Sequence, residues 1–187
     1  MKIVEIKVLR GPNYWSVRRT KLIQMKLDLE EMEQRPTNKI EGFRERLEAM
    51  FPSMIEHRCS VGTRGGFFER VDEGTWMGHV IEHIALEMQT LPGMDTGFGR
   101  TRGTGQQGEY YVCISYMEED AGGYAAKAAV RVAQALTDNI EYDLADDIMK
   151  LREIREDTRL GPSTGCIVDE AAKRGIPYIR LNKHSLV

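Results

Sequence analysis

Near the amino terminus, Val4, Ile6 and Val8 alternate with Glu5 and Lys7, the period-two signature of a half-buried strand. Gly11-Pro12-Asn13 breaks it. A stronger alternation follows, with Ile23, Met25, Leu27 and Leu29 apolar and Gln24, Lys26 and Asp28 polar between them, so a second strand is predicted there. Phe43, Leu47, Met50 and Phe51 then fall at helical spacing, and Pro52 ends that helix. Met54 to Ser60 reads as a short strand entering the loop Val61-Gly62-Thr63-Arg64-Gly65-Gly66.

A helix is predicted from Thr75 to about Thr90, with Thr75 or Asp72 as its cap. The glycine-rich stretch Gly97 to Gly108 follows, and Tyr110 to Tyr116 has the apolar, β-branched character of a strand. Ala121 to Leu136 is an alanine-rich helix, and Leu144 to Arg155 an amphipathic one through Leu144, Ile148, Leu151 and Ile154. Leu160-Gly161-Pro162 marks the expected domain boundary. Beyond it, Ser163 or Thr164 caps a short helix ending at Gly175, and Ile176 to Leu181 reads as a strand. The expectation is an α+β domain over residues 1–160, its antiparallel or mixed sheet packed by helices, with residues 161–187 opening a second, truncated unit that stops in apolar sequence at Ser185-Leu186-Val187.

Composition narrows the class. At 187 residues, 41% apolar and 29% charged, the chain has the balance of a globular protein able to bury its own core. A net charge of -3 gives no electrostatic case for nucleic acid or an anionic membrane, and no apolar run reaches membrane-spanning length. Cys59, Cys113 and Cys166 are odd in number and widely spaced, a pattern of reduced thiols, so a cytoplasmic location is expected.

The most chemical feature is His79-Val80-Ile81-Glu82-His83. On a helix, positions i and i+4 project from one face, so both imidazoles reach one metal ion. Glu82 beside them suits a general base that takes a proton from water. This is the H-x-x-E-H order of inverzincin metallopeptidases, so zinc and a metallohydrolase-like domain are expected. Met77, Val80, Ile81, Ile84 and Met88 form an apolar stripe opposite, while Trp76 and Leu86 share the histidine side and suggest partial enclosure. The alternative is a solvated face whose histidines only hydrogen-bond or pair with carboxylates.

The motif leaves a third ligand open. Cys59 is one candidate, and Glu153 ranks with it because inverzincins take an acidic ligand from a later helix; Glu156 is another, and Cys113 is placed more like a core residue. Arg100 and Arg102, set among glycines, suit a two-pronged grip on carboxylates, although a solvated loop is the better reading for Arg102, and Arg64 is equally ambiguous. No phosphate-loop pattern is present. Acidic clusters at Glu30, Glu31 and Glu33, at Glu118 to Asp120, and at Asp143, Asp146 and Asp147 suit an arginine-rich partner, although Glu118 to Asp120 also fit a helix start.

Several strings resemble cyanophycin synthetases, in order along the whole chain. They are Leu9-Arg10-Gly11-Pro12-Asn13-Tyr14-Trp15-Ser16, Arg64-Gly65-Gly66-Phe67, Gly74-Thr75-Trp76-Met77-Gly78-His79, Gly97-Phe98-Gly99-Arg100-Thr101-Arg102 and Leu160-Gly161-Pro162-Ser163-Thr164. The resemblance implies the amino-terminal domain of an enzyme, active with ATP and magnesium, that polymerises aspartate and arginine into cyanophycin and is expected to be a homo-oligomer. It places an ATP-grasp domain from residue 161 onward and a Mur-ligase-like domain beyond, so this segment has no ligase activity of its own. It further implies that the segment holds the polymer, touching its carboxylates with Arg100 and its arginines with acidic patches. In some members the domain cuts polymer into primers, and His79, Glu82 and His83 match that pattern. A polymer-binding module without chemistry and a purely architectural domain are the rival readings.

Overall fold

The computed structural model describes residues 1–178, 180–182 and 185–186. Its centre is a four-stranded antiparallel sheet in the order β1-β2-β4-β3, built from β1 (Lys2–Arg10), β2 (Lys21–Asp28), β3 (Gly99–Gly103) and β4 (Glu109–Ser115). Helices α1 (Phe43–Met50), α2 (Gly66–Glu73), α3 (Met77–Thr90), α4 (Glu119–Asp138) and α5 (Leu144–Thr158) complete the main body. The fold is α+β, as the sequence pattern predicts.

The alternation in β2 sorts its side chains between two environments. Ile23, Met25 and Leu27 face the main core with Val112 and Ile114 of β4. Leu22 and Cys113 point to the other face, where Trp15 covers them. Gln24 is buried on that outer face too, and its Oε1 accepts hydrogen bonds from Tyr14 Oη at 2.6 Å and Trp15 Nε1 at 2.7 Å. The loop after Gly11 therefore roofs the sheet, so β2 is buried on both faces rather than half-buried.

On the core face lie α3 and α4. Ala121, Ala125, Ala128, Ala129 and Ala133 of α4 are buried, and their small side chains let the two helices approach closely. Helix α5 joins α4 through buried Asp147, which accepts from Tyr124 Oη at 2.6 Å and Arg131 at 2.8 Å, and also from Tyr142.

Three local expectations need correcting. Met54 to Ser60 is not a strand but two 3-10 helices, Pro52–Glu56 and Cys59–Val61, closed by i to i+3 bonds such as His57 N to Met54 O at 3.0 Å. The glycine-rich stretch contains β3, because backbone pairing with β4 outweighs the poor strand propensity of its glycines. Neither Thr75 nor Asp72 caps α3; Trp76 occupies the cap position without a side-chain bond.

After Gly161, Pro162 opens α6 (Pro162–Lys173), again with no side-chain cap from Ser163 or Thr164. The short strands β5 (Arg180–Asn182) and β6 (Ser185–Leu186) pair with each other. Ile179 of the expected strand, and Val187, lie outside the described residues. Among the described residues no helix is long and apolar enough to cross a membrane. The three cysteines are free thiols.

Candidate metal and proton-transfer site

Helix α3 is buried on nearly every side, the condition of a helix enclosed by its own domain. Met77, Val80, Ile81, Ile84 and Met88 fill the main core. The histidine side is enclosed by α2, the two 3-10 helices and β3, leaving a cavity of about 560 Å³. His57, Cys59, His79, Glu82, His83 and Arg100 all line it.

Cys59 Sγ lies 3.2 Å from His79 Nε2. One donor atom from each of Cys59, His79 and His83 falls within 4.8 Å of the others. Cys59 reaches this position with φ of +51°, a left-handed conformation that costs a non-glycine residue energy and must be held by its surroundings. The other nitrogen of His79, Nδ1, is 3.0 Å from Thr75 Oγ1, so the threonine that fails to cap the helix orients the imidazole instead. Phe67 stacks on His83 at 4.1 Å between ring centres and meets His79 edge-on.

Burial sets the charge states. It lowers His79 to about 4, with a smaller push from Arg70, and lowers His83 well below its ordinary value, with His79 and His57 adding to the effect. Both rings are therefore neutral at pH 7 and hold lone pairs for a metal. One thiol and two imidazoles are a fitting donor set for zinc.

Glu82 is only 6% exposed, and burial raises its carboxyl to about 7 against the lowering effects of Thr101 and Arg100. The Thr101 hydroxyl donates to its Oε2 at 2.6 Å. Gly99 makes room for it, since a Cβ there would stand 2.5 Å from Oε1 and 2.6 Å from Cγ. Glu82 thus belongs to this cavity through a strand glycine and a strand threonine, neither of which the helical motif contains.

Two further residues escaped the sequence reading. His57 Nδ1 is 2.9 Å from His83 Nδ1, and His57 Nε2 is 2.7 Å from Glu87 Oε2. Burial opposes ionisation of Glu87, but hydrogen bonds from His57 and Ser53 outweigh it and hold the carboxyl below its ordinary range. Glu87 is four residues beyond His83 on the same helix, and His57 is two before Cys59. Those spacings were the available signal.

The remaining candidates are dispersed. Arg100 lines the cavity from β3. The Arg102 guanidinium sits 5.7 Å from the Trp15 ring and, with Arg70, Trp76 and Tyr110, lines a neighbouring groove. Arg64 pairs with Glu56 at the surface and is not among the cavity-lining residues. Glu153 and Glu156 sit on exposed turns of α5, paired with Lys150 and with Arg155 and Arg159, and neither lines the cavity. Cys113 faces Trp15 and Leu22, and burial pushes its thiol up to about 12.

Fold and site together define an α+β domain with a candidate metal centre in a solvent-accessible cavity. The chain belongs to the cyanophycin synthase-like N-terminal domain family, which it matches over residues 24–138. Over its whole length it is 52% identical to the cyanophycin synthetases of Trichormus variabilis and Synechocystis sp., and 50% identical to that of Geminocystis herdmanii. It spans 21% of the length of the first and 22% of the other two.

Proposed function

We propose that this chain is the polymer-handling amino-terminal domain of a cyanophycin synthetase and that it cleaves cyanophycin to generate primers. One observation carries the reading: Cys59, His79, His83 and the carboxyl of Glu82 converge in one accessible cavity. Cys59, His79 and His83 would hold zinc, which would supply Lewis acidity toward the scissile carbonyl. Glu82 does the proton work. It accepts a proton from the water that adds to the amide carbon, then returns it to the departing nitrogen as the C–N bond breaks. In the metal-free chain burial raises this carboxyl to about 7, and the charge of a bound cation would favour its ionised, proton-accepting form. Arg100 meets a carboxylate of the polymer beside the reacting bond.

In the longer protein, residues from 161 onward begin an ATP-grasp domain, and the ligase reactions that add aspartate and arginine use ATP and magnesium there and in a further domain. That protein works as a cytoplasmic homo-oligomer. The test is incubation of purified cyanophycin with this chain in the absence of ATP, beside Glu82→Gln and a zinc determination. Cleavage lost on substitution, with about one zinc per chain, is the expected result. Absence of both cleavage and metal overturns the hydrolytic reading and leaves a domain that only binds polymer.

A further inference from the structure

Helix α3 carries a second acidic residue that the proton chemistry does not use. Glu87 is 3% exposed and lies one turn beyond His83. Pro52–Glu56 brings Ser53 and His57 over it, so the Ser53 hydroxyl bonds Oε1 while His57 Nε2 approaches Oε2 at 2.7 Å. The opposite nitrogen of His57 then reaches His83 Nδ1 at 2.9 Å. Three side chains from two segments form one unbroken chain ending on a cavity histidine.

Donor and acceptor rules orient that chain. An ionised carboxylate only accepts, so His57 must carry its proton on Nε2. When the His57 ring is neutral its Nδ1 is then bare and accepts, which requires the proton of His83 on Nδ1. His83 is left with its lone pair on Nε2. Stacking of Phe67 on the His83 ring fixes the plane in which that lone pair lies.

We infer that Glu87 and His57 are positioning residues that lock His83 as the Nδ1–H tautomer and so present its Nε2 for metal binding. The tautomers follow from the hydrogen-bond chain with Glu87 ionised and His57 neutral; what Nε2 binds rests on the metal site proposed above. Such outer partners of ligating histidines typically contribute 10–100-fold to metal affinity.

Two measurements on the 187-residue chain test this. Nitrogen NMR of the histidine rings, on metal-free protein at neutral pH, should show His57 protonated on Nε2 and His83 on Nδ1. Competition with a zinc chelator should show affinity for zinc lowered roughly 10–100-fold in Glu87→Leu, which leaves His57 Nε2 no acceptor, with unchanged stoichiometry. A purely structural contact would lower the melting temperature of metal-free protein and leave zinc affinity alone, so thermal unfolding accompanies both. Finding His83 protonated on Nε2, or a folded Glu87→Leu with wild-type zinc affinity, overturns the relay. Should Glu87→Leu fail to fold, the wild-type tautomers decide. The inferred tautomers in a chain that binds no zinc would support the hydrogen-bond relay and overturn the metal site instead.

Discussion

Replacing Glu82 by glutamine should make the metal-free protein more stable at alkaline pH. In the folded chain this carboxyl ionises near 7, against an ordinary value of 4.5. Between those limits the folded state binds the proton more tightly than the unfolded state, so stability is fullest below pH 4.5 and is lost as pH rises through 7. At about 1.4 kcal/mol per pH unit, the loss by pH 8.5 comes to about 3 kcal/mol. Glutamine carries no charge and escapes it. Its carbonyl keeps the Thr101 bond, and its amide group takes the place of Oε1 at the cavity wall beside Gly99. Glu82→Gln should therefore match wild type at pH 4.5 and be more stable by about 3 kcal/mol at pH 8.5. Urea unfolding with a chelator present, at both pH values, measures the difference. Other carboxylates titrate in both proteins and cancel. A stability difference that does not change with pH would refute the assignment of a buried, reluctant carboxylate to this position.

Gly99→Ala should lower cleavage of cyanophycin by about 100-fold without loss of bound zinc, because a Cβ 2.5 Å from Oε1 forces the carboxyl to move by most of an ångström; wild-type turnover would refute the fit between β3 and Glu82. Asp147→Ala should destabilise the domain by about 2–3 kcal/mol in urea unfolding, since it strips Tyr124, Tyr142 and Arg131 of a shared buried acceptor. A loss under 1 kcal/mol would show those groups resolvated at no cost.

The elements with long periodic patterns were legible. Strands β1 and β2 and helices α3, α4 and α5 all follow the spacing of their apolar residues, and the two histidines and glutamate of α3 do share a cavity. What escaped was set by contacts between distant segments. The segment holding His57 and Cys59 alternates too briefly to separate a strand from tight helical turns, and Pro52 with the bonds that follow decided for the turns. Strand β3 exists because β4 offers it partners, a fact absent from its own glycine-rich sequence. The pairing of His57 with Glu87 spans 30 residues and has no local periodicity to announce it. Gly99 reads as loop punctuation until the carboxyl it accommodates is seen.

The left-handed turn at Cys59 divides the cavity into unlike halves. His79 and His83 stand on a fourteen-residue helix packed into the core, so their spacing is fixed by the same contacts that stabilise the fold. Cys59 stands on a three-residue turn with no fully buried member, packed against α2 from outside the core. Ions of different radius would be accommodated by travel of the sulfur while the imidazoles keep still. Entry and departure of an ion would likewise begin on the thiol side. In mechanical terms the proposed centre would be a vice with one fixed jaw, and the compliance of the other jaw would set how selective its grip is.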